Sequence, residues 1–296
     1  MKLVVGATGL LGSEICRQFT ATGTPVRALV RATSDPSKVD ALESDGAEIA
    51  VGDVRDRGSL DAACHDVTSV ISTVSSVPFT YKAGENDIQT VDQEGLENLI
   101  DAAKSANVRH FVYTSFSSQI DLDFPLSRAK RFVERRLKAS GLTYTILQPS
   151  YFMEIWLSPA VGFDFANAEV QIYGTGKNPI SWISSADVAR FAVRSLTSQA
   201  ARNTTLMLGG PKALSPLEVV RIFEEVGGRS FTVQHVPDEA LAAQQEEAED
   251  PLEQSFAGLM RCYAKGDAID MDELLAAFPI ELTSVHEYTR RVLHKS

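Results

Sequence analysis

The 296-residue chain has only three cysteines, Cys16, Cys64 and Cys262, far apart and odd in number, which argues against a disulfide framework. It has no CxxC pair and no Cys/His cluster, and its five histidines (65, 110, 235, 286 and 294) are scattered, so no metal site is expected. Ser, His and Asp do not fall into a hydrolase-like arrangement either. No apolar run approaches the roughly 18–20 residues that a membrane helix requires. Basic residues are outnumbered, 28 Lys+Arg against 39 Asp+Glu, for a net charge of −11. A chain without a basic excess lacks the surface that attracts phosphate backbones, so no nucleic-acid partner is expected. The apolar start Leu3-Val4-Val5 is too short for a signal peptide, which makes a cytoplasmic protein with reduced thiols the expectation.

What remains is ordinary globular composition, 44% hydrophobic and 23% charged. The charge is uneven: residues 1–150 carry −3 and residues 151–296 carry −8. Through residue 150, short apolar runs alternate with helical patterns. Strands are predicted at Leu3–Val5, Val26–Val30, Ile49–Val51, Val70–Ser72, Phe111–Thr114 and Tyr144–Leu147, and helices at Leu11–Thr20, Glu94–Ala106 and Ala129–Ser140. The runs are apolar on both faces, as strands covered by helices on both sides must be. The class is therefore α/β, a doubly wound parallel sheet.

After Pro149 the rhythm changes. Residues 151–183 are rich in Gly, Pro and aromatics, and later helices are expected at Asp187–Leu196, Ser215–Val226, Met271–Phe278 and Val285–Leu293. Ser215-Pro216 starts one of these and Gly227-Gly228 stops it. This predicts one domain over 1–150, with 184–210 returning to it. A smaller mixed α/β lobe would be built from 151–183 and 211–296. The stretch Asp238–Glu253 holds seven acids and no base. It lies outside every motif described below and reads as a solvated helix or a mobile flap.

Gly6-Ala7-Thr8-Gly9-Leu10-Leu11-Gly12 follows the first strand and opens the first helix. Glycines at this spacing permit a tight turn and let backbone N–H groups approach a pyrophosphate, and the helix N-terminus adds positive potential. In this strand–loop–helix context the pattern predicts a bound dinucleotide. Arg31 ends the second strand, 19 positions after Gly12, where an acidic residue would favour NAD and an arginine can pair with a 2′-phosphate. Thr33 and Ser34 can add hydroxyl donors, while Asp35 pulls the other way; the alternative for Arg31 is a solvated surface side chain. NADP(H) is preferred, with NAD(H) possible. Asp53, in Gly52-Asp53-Val54, can accept from the adenine amino group or can serve as a turn or cap residue.

Together, Gly6–Gly12, Arg31, Gly52-Asp53-Val54, Glu94-Gly95-Leu96-Glu97-Asn98-Leu99, Phe111-Val112-Tyr113-Thr114-Ser115 and Gln148-Pro149-Ser150-Tyr151-Phe152-Met153 resemble the NmrA-like branch of the atypical short-chain dehydrogenases/reductases. The resemblance covers roughly residues 1–195. It implies a Rossmann domain with NADP(H) across the carboxyl edge of the sheet, and a smaller lobe closing a substrate cleft. Classical members use Tyr-x-x-x-Lys, in which the Tyr is the acid/base and the Lys lowers its pKa and binds the nicotinamide ribose. Here Lys130 matches the Lys, but Leu126 stands where the Tyr should be, and leucine transfers no proton. Either Lys130 (or a water it holds) supplies the proton while Ser115 or Ser117 positions the substrate oxygen, or the site binds cofactor without turnover. The resemblance also puts Val74, Ser75, Val54, Pro149, Tyr151 and Phe152 at the cofactor. Tyr113, on the same strand face as Ser115, reads as core.

Tyr81, Phe152 and Trp156 are the substrate-pocket candidates. Phe152 and Trp156 belong, with Met153, Leu157, Phe163 and Phe165, to a stretch that suits a flat apolar molecule, although core packing is the commoner role of any one of these residues. Asp187 reads as a structural helix-start residue. The leading expectation is an NADPH-dependent reductase passing hydride to a quinone, enone or similar carbonyl compound. The alternative is a non-enzymatic NADP(H)-binding redox sensor with a regulatory protein partner. A monomer or homodimer fits either.

Overall fold

The computed structural model describes residues 1–77 and 80–294. In chain order the elements are β1 (Lys2–Val5), α1 (Leu10–Ala21), β2 (Val26–Val30), α2 (Pro36–Ser44), β3 (Glu48–Val51), α3 (Arg57–Ala63), β4 (Ser69–Ser72) and a π-helical segment (Ile88–Gly95) running into α4 (Leu96–Ser105). They continue with β5 (His110–Thr114), α5 (Pro125–Lys138), β6 (Tyr144–Pro149), α6 (Met153–Trp156), β7 (Phe163–Asp164), β8 (Glu169–Tyr173), α7 (Ser185–Ser195) and β9 (Thr204–Leu208). The last are α8 (Pro216–Gly227), β10 (Thr232–Val236), α9 (Asp238–Glu247), α10 (Pro251–Lys265), α11 (Asp272–Ala277) and α12 (Val285–Leu293).

The main sheet has the order β3-β2-β1-β4-β5-β6-β9. Its strands β1 to β6 pair in parallel throughout. The chain winds outward from β1 to β3, then crosses back to β4 beside β1. The turns after β1 and β4 therefore diverge at the carboxyl edge, the place where a doubly wound sheet opens a crevice. This is a Rossmann-like α/β architecture. Leu3, Val4, Val70, Ile71, Phe111 and Val112 are fully buried, as a sheet with helices on both faces requires.

The chain divides into two compact units. One comprises residues 1–115, 128–147 and 188–206; the other comprises 116–127, 148–187 and 207–296. Residues 116–127, read with the first domain in the sequence, thus group with the second unit. That unit contains a three-stranded sheet, β10-β8-β7, with β10 parallel and β7 antiparallel to β8. Its α8 starts as its sequence predicts: the Ser215 hydroxyl accepts from the Glu218 N–H, the Glu218 carboxylate accepts from the Ser215 N–H, and Pro216 sits in the first turn.

Helices α2, α3 and α10 had no clear sequence signal. The first two are short and bury only Leu42, and Leu60 with Ala63, so tertiary contact rather than periodicity sustains them. Asp35, set against NADP in the sequence, is the N-cap of α2 and accepts from the Ser37 N–H. The acidic stretch forms α9 and the start of α10. Arg261 of α10 holds it by reaching Asp238 at 3.4 Å and the Gln245 amide oxygen at 3.1 Å.

Candidate functional site

The turn after β1 owes its shape to missing side chains. Gly6 has φ +85°, and a Cβ there would lie 2.7 Å from Thr73 Oγ1; one on Gly12 would lie 2.1 Å from the Gly6 carbonyl oxygen. Only glycine lets α1 start this close to the strand. The N-cap of α1 is Gly9, and no side chain caps the helix. Its first described backbone bond runs from the Ser13 N–H to the Gly9 carbonyl. The N–H groups of Leu10, Leu11 and Gly12 precede that bond, at the positive end of the helix dipole. Leu10 is 45% exposed and Leu11 is buried.

Beside this loop lies a cavity of about 140 Å³. Gly6, Thr8, Gly9, Arg31, Ser34, Asp53, Val54, Val74 and Ser75 line it, all of them candidates from the sequence. They arrive from the carboxyl ends of β1 to β4, which gather on one edge. Thr73, Thr80 and Asn86 also line it and were not anticipated. The Arg31 backbone N–H donates to Ser34 Oγ (3.0 Å), and its guanidinium donates to Asn86 Oδ1 (2.9 Å). Asp53 is gripped on both oxygens by Arg55, Nε to Oδ1 at 2.8 Å and Nη2 to Oδ2 at 2.5 Å. The Arg55 hydrogen bond, opposed in part by burial, holds the Asp53 carboxyl below the usual carboxylate range. Gly95 matters here as well: a Cβ would meet Val54 Cγ2 at 2.6 Å, so its absence brings the π-helical segment against Val54.

Lys130 is not a solvated helix-surface lysine. It is 4% exposed. Its Nζ lies 3.3 Å from Asp92 Oδ1, 3.5 Å from the Val74 carbonyl oxygen and 5.5 Å from the Tyr113 ring centroid. Asp92 is fully buried; its Oδ2 accepts from the Ser76 N–H (2.9 Å) and hydroxyl (2.6 Å), leaving Oδ1 to the ammonium. The Tyr113 hydroxyl is buried without a hydrogen-bond partner among the described residues. Burial, with the charges of Asp92 and Glu134, pushes its pKa well above the ordinary phenol value. It is a core residue. Ser115 Oγ accepts from Arg131 Nη1 at 3.4 Å, and Arg131 also pairs with Glu134. Tyr81 is half-buried.

Asp92 escaped the sequence reading, yet a signal was there. It is an acid on the buried stripe Ile88, Val91, Leu96, Leu99 of an otherwise amphipathic segment. The segment begins well before Glu94 because Asp87 and Thr90 form a reciprocal cap.

The remaining candidates belong to the second unit. Tyr151, expected at the cofactor, is 2% exposed, donates its hydroxyl to the Leu259 carbonyl (3.3 Å), and packs on Trp156 (4.8 Å) and Tyr263 (5.8 Å). Its phenol is enclosed by rings, and burial first of all pushes its pKa far up. Trp156 stacks on Tyr263 at 5.6 Å and is half-buried, as is Phe152; Pro149 is buried at the end of β6. Ser117 donates to Asp267 Oδ1 at 2.8 Å. Burial raises the Asp267 pKa, against the hydroxyls of Ser150 and Ser117. Leu126 is buried, and its N–H donates to Ser255 Oγ at 3.1 Å. Asp187 is structural: its carboxylate accepts from the Thr283 N–H (2.8 Å) and hydroxyl (3.1 Å).

No group of three His, Cys, Asp or Glu among the described residues suits a metal ion, and no described helix is long and apolar enough to cross a membrane. The cysteines are buried thiols. Burial pushes Cys16 to about 12 and Cys64 and Cys262 to about 11.

A glycine-walled helix start at the crossover of a doubly wound sheet defines the class of dinucleotide-binding Rossmann proteins. Within that class the chain belongs to the NmrA-like family, whose model matches residues 2–289. It is similar to a photosystem II assembly factor, Ycf39, of Trieres chinensis (31% identity, 79% of this chain and 72% of that one). It is also similar to an NAD(P)H azoreductase of Xenophilus azovorans (33%, 77% and 74%). Among solved structures it is similar in fold to the NADPH-dependent quinone oxidoreductase QOR2 of Escherichia coli complexed with NADPH, with TM-score 0.79 and 23% identity, covering 99% of this chain and 100% of that one.

Proposed function

We propose that the protein is an NADPH-dependent reductase of a small, apolar, electron-poor substrate such as a quinone, an enone or a related carbonyl compound. One observation carries this reading. Lys130 is buried and paired with Asp92 beside Val74, a residue that also lines the cavity next to the glycine loop. A merely solvating lysine would not bear the cost of burial. The residues fit the cofactor: a pyrophosphate suits the uncapped start of α1, and a 2′-phosphate suits Arg31. When bound, NADPH supplies a hydride. Lys130 keeps a proton at Nζ and donates it, directly or through a water, to the oxygen that gains charge. Ser115 Oγ orients that oxygen, and Arg131 orients Ser115. Tyr81 is a further substrate contact. The relative named as an azoreductase and the fold neighbour named as a quinone oxidoreductase support the chemistry. Three buried thiols suit a reducing, cytoplasmic setting.

A second reading rests on Leu126. With leucine at the usual phenol position, the protein can bind NADP(H) without turnover and act on a protein partner, a role that the similarity to an assembly factor supports. One experiment separates the two. Purified protein is incubated with NADPH and a panel of quinones and enones, beside Lys130→Ala, with NADPH fluorescence titration as the binding control. Oxidation by the wild type alone supports the reductase. Binding without oxidation above the variant refutes it in favour of the regulator.

A further inference from the structure

We infer that Asn86 sets the preference for the phosphorylated nucleotide, acting through Arg31 as a neutral brace; this rests on reading the cavity as the adenosine end of the cofactor site. The amide orientation follows from its partners. Asn86 Nδ2 donates to the Thr80 carbonyl at 2.6 Å and to Thr80 Oγ1 at 3.2 Å. A carbonyl oxygen only accepts, so the NH₂ must face Thr80 and Oδ1 must face Arg31. Asn86 is 8% exposed. Its backbone is clamped as well, exchanging both hydrogen bonds with Lys82 at 2.8 and 2.9 Å. The guanidinium thus meets an acceptor with almost no freedom to move.

Charge is the second part of the argument. The cavity contains one carboxylate, Asp53, and its neighbourhood contains two arginines. Arg55 takes both oxygens of Asp53 and ties itself to the Glu85 carbonyl at 2.5 Å. Arg31 has no ion pair among the described residues; its side-chain partner is the uncharged Asn86 oxygen. Its positive charge is therefore held in place with no ion-pair partner among those residues, feeling Asp53 only through space, and stays able to capture an anion at the 2′ position. An aspartate at position 86 would occupy the same volume and cancel that charge.

The test is fluorescence titration of NADPH and NADH against the wild type, Asn86→Ala and Asn86→Asp. NADH binding also reports whether the pocket survives each substitution. Asn86→Ala, which frees Arg31 to move, should weaken NADPH by about 3–10-fold, the range of one hydrogen bond, with NADH changed by less than about twofold. Asn86→Asp should weaken NADPH by about 10–100-fold, as loss of a charge-assisted contact implies, and leave NADH unchanged or improved. Equal shifts for both nucleotides, or none, overturn the inference while the cavity reading stands. A wild type that binds neither nucleotide overturns both.

Discussion

Replacing Asp92 by alanine would leave the Lys130 ammonium buried with no counter-ion among the described residues, against the Val74 carbonyl at 3.5 Å and the Tyr113 ring. At 3.3 Å separation the pair's Coulomb attraction is about 5 kcal/mol for an effective dielectric of 20. Much of it offsets the desolvation of two groups that are at most 6% exposed. What the variant measures is therefore the penalty of an orphaned charge, about 3–5 kcal/mol. Loss of the acceptor for the Ser76 N–H and hydroxyl pushes it toward the upper end. Urea denaturation of Asp92→Ala, Lys130→Ala and the double variant measures the coupling. The expected result is that the double variant loses less than the sum of the singles by at least about 2 kcal/mol. A cycle that closes within about 0.5 kcal/mol, the usual scatter for independent sites, or an Asp92→Ala cost under about 1 kcal/mol, would refute the view that this pair keeps Lys130 charged inside the fold.

Gly12→Ala should abolish NADPH binding and destabilise the chain, because its Cβ would sit 2.1 Å from the Gly6 carbonyl oxygen; unchanged titration would show that the loop can relax. Arg31→Glu should weaken NADPH far more than NADH, by about 100-fold or more since one attraction becomes a repulsion; equal losses would refute the 2′-phosphate assignment. His110 is 4% exposed, and burial first, then Arg202 and Lys2, lowers its pKa to about 4. The unfolded imidazole, near 6.5, takes up its proton first, so stability is present above about pH 6.5 and is lost as pH falls toward 4. The urea midpoint of the wild type should drop over that window more steeply than that of His110→Gln; parallel curves would refute the assignment. The same geometry makes Nε2 the protonated nitrogen, since the Thr145 hydroxyl it meets at 2.8 Å already donates to the Ala201 carbonyl.

The legible part of the site is the part made of neighbours in the chain. Gly6 to Gly12 works through its own backbone, so its spacing alone announced the turn, and Arg31 is placed by the end of a single strand. The partners of Asn86 and Asp92 were illegible, even where the buried stripe marks Asp92, because each partner lies far away in sequence, 55 positions off at Arg31 in one case and on α5 in the other. Tyr151 shows the opposite difficulty. An aromatic next to a cofactor motif looks the same in sequence whether it faces a ligand or a core, and here three neighbouring rings, Trp156, Trp182 and Tyr263, pack against it.

Local pattern, then, determined the α/β class, the strand positions and the glycine loop, because periodicity and turn stereochemistry are properties of short stretches. Tertiary structure alone decided that Lys130 is buried against Asp92, that Asn86 meets Arg31, and that Arg261 holds the acidic stretch. Which charges meet depends on distances between segments that the chain brings together only on folding, and those distances set how each charge behaves.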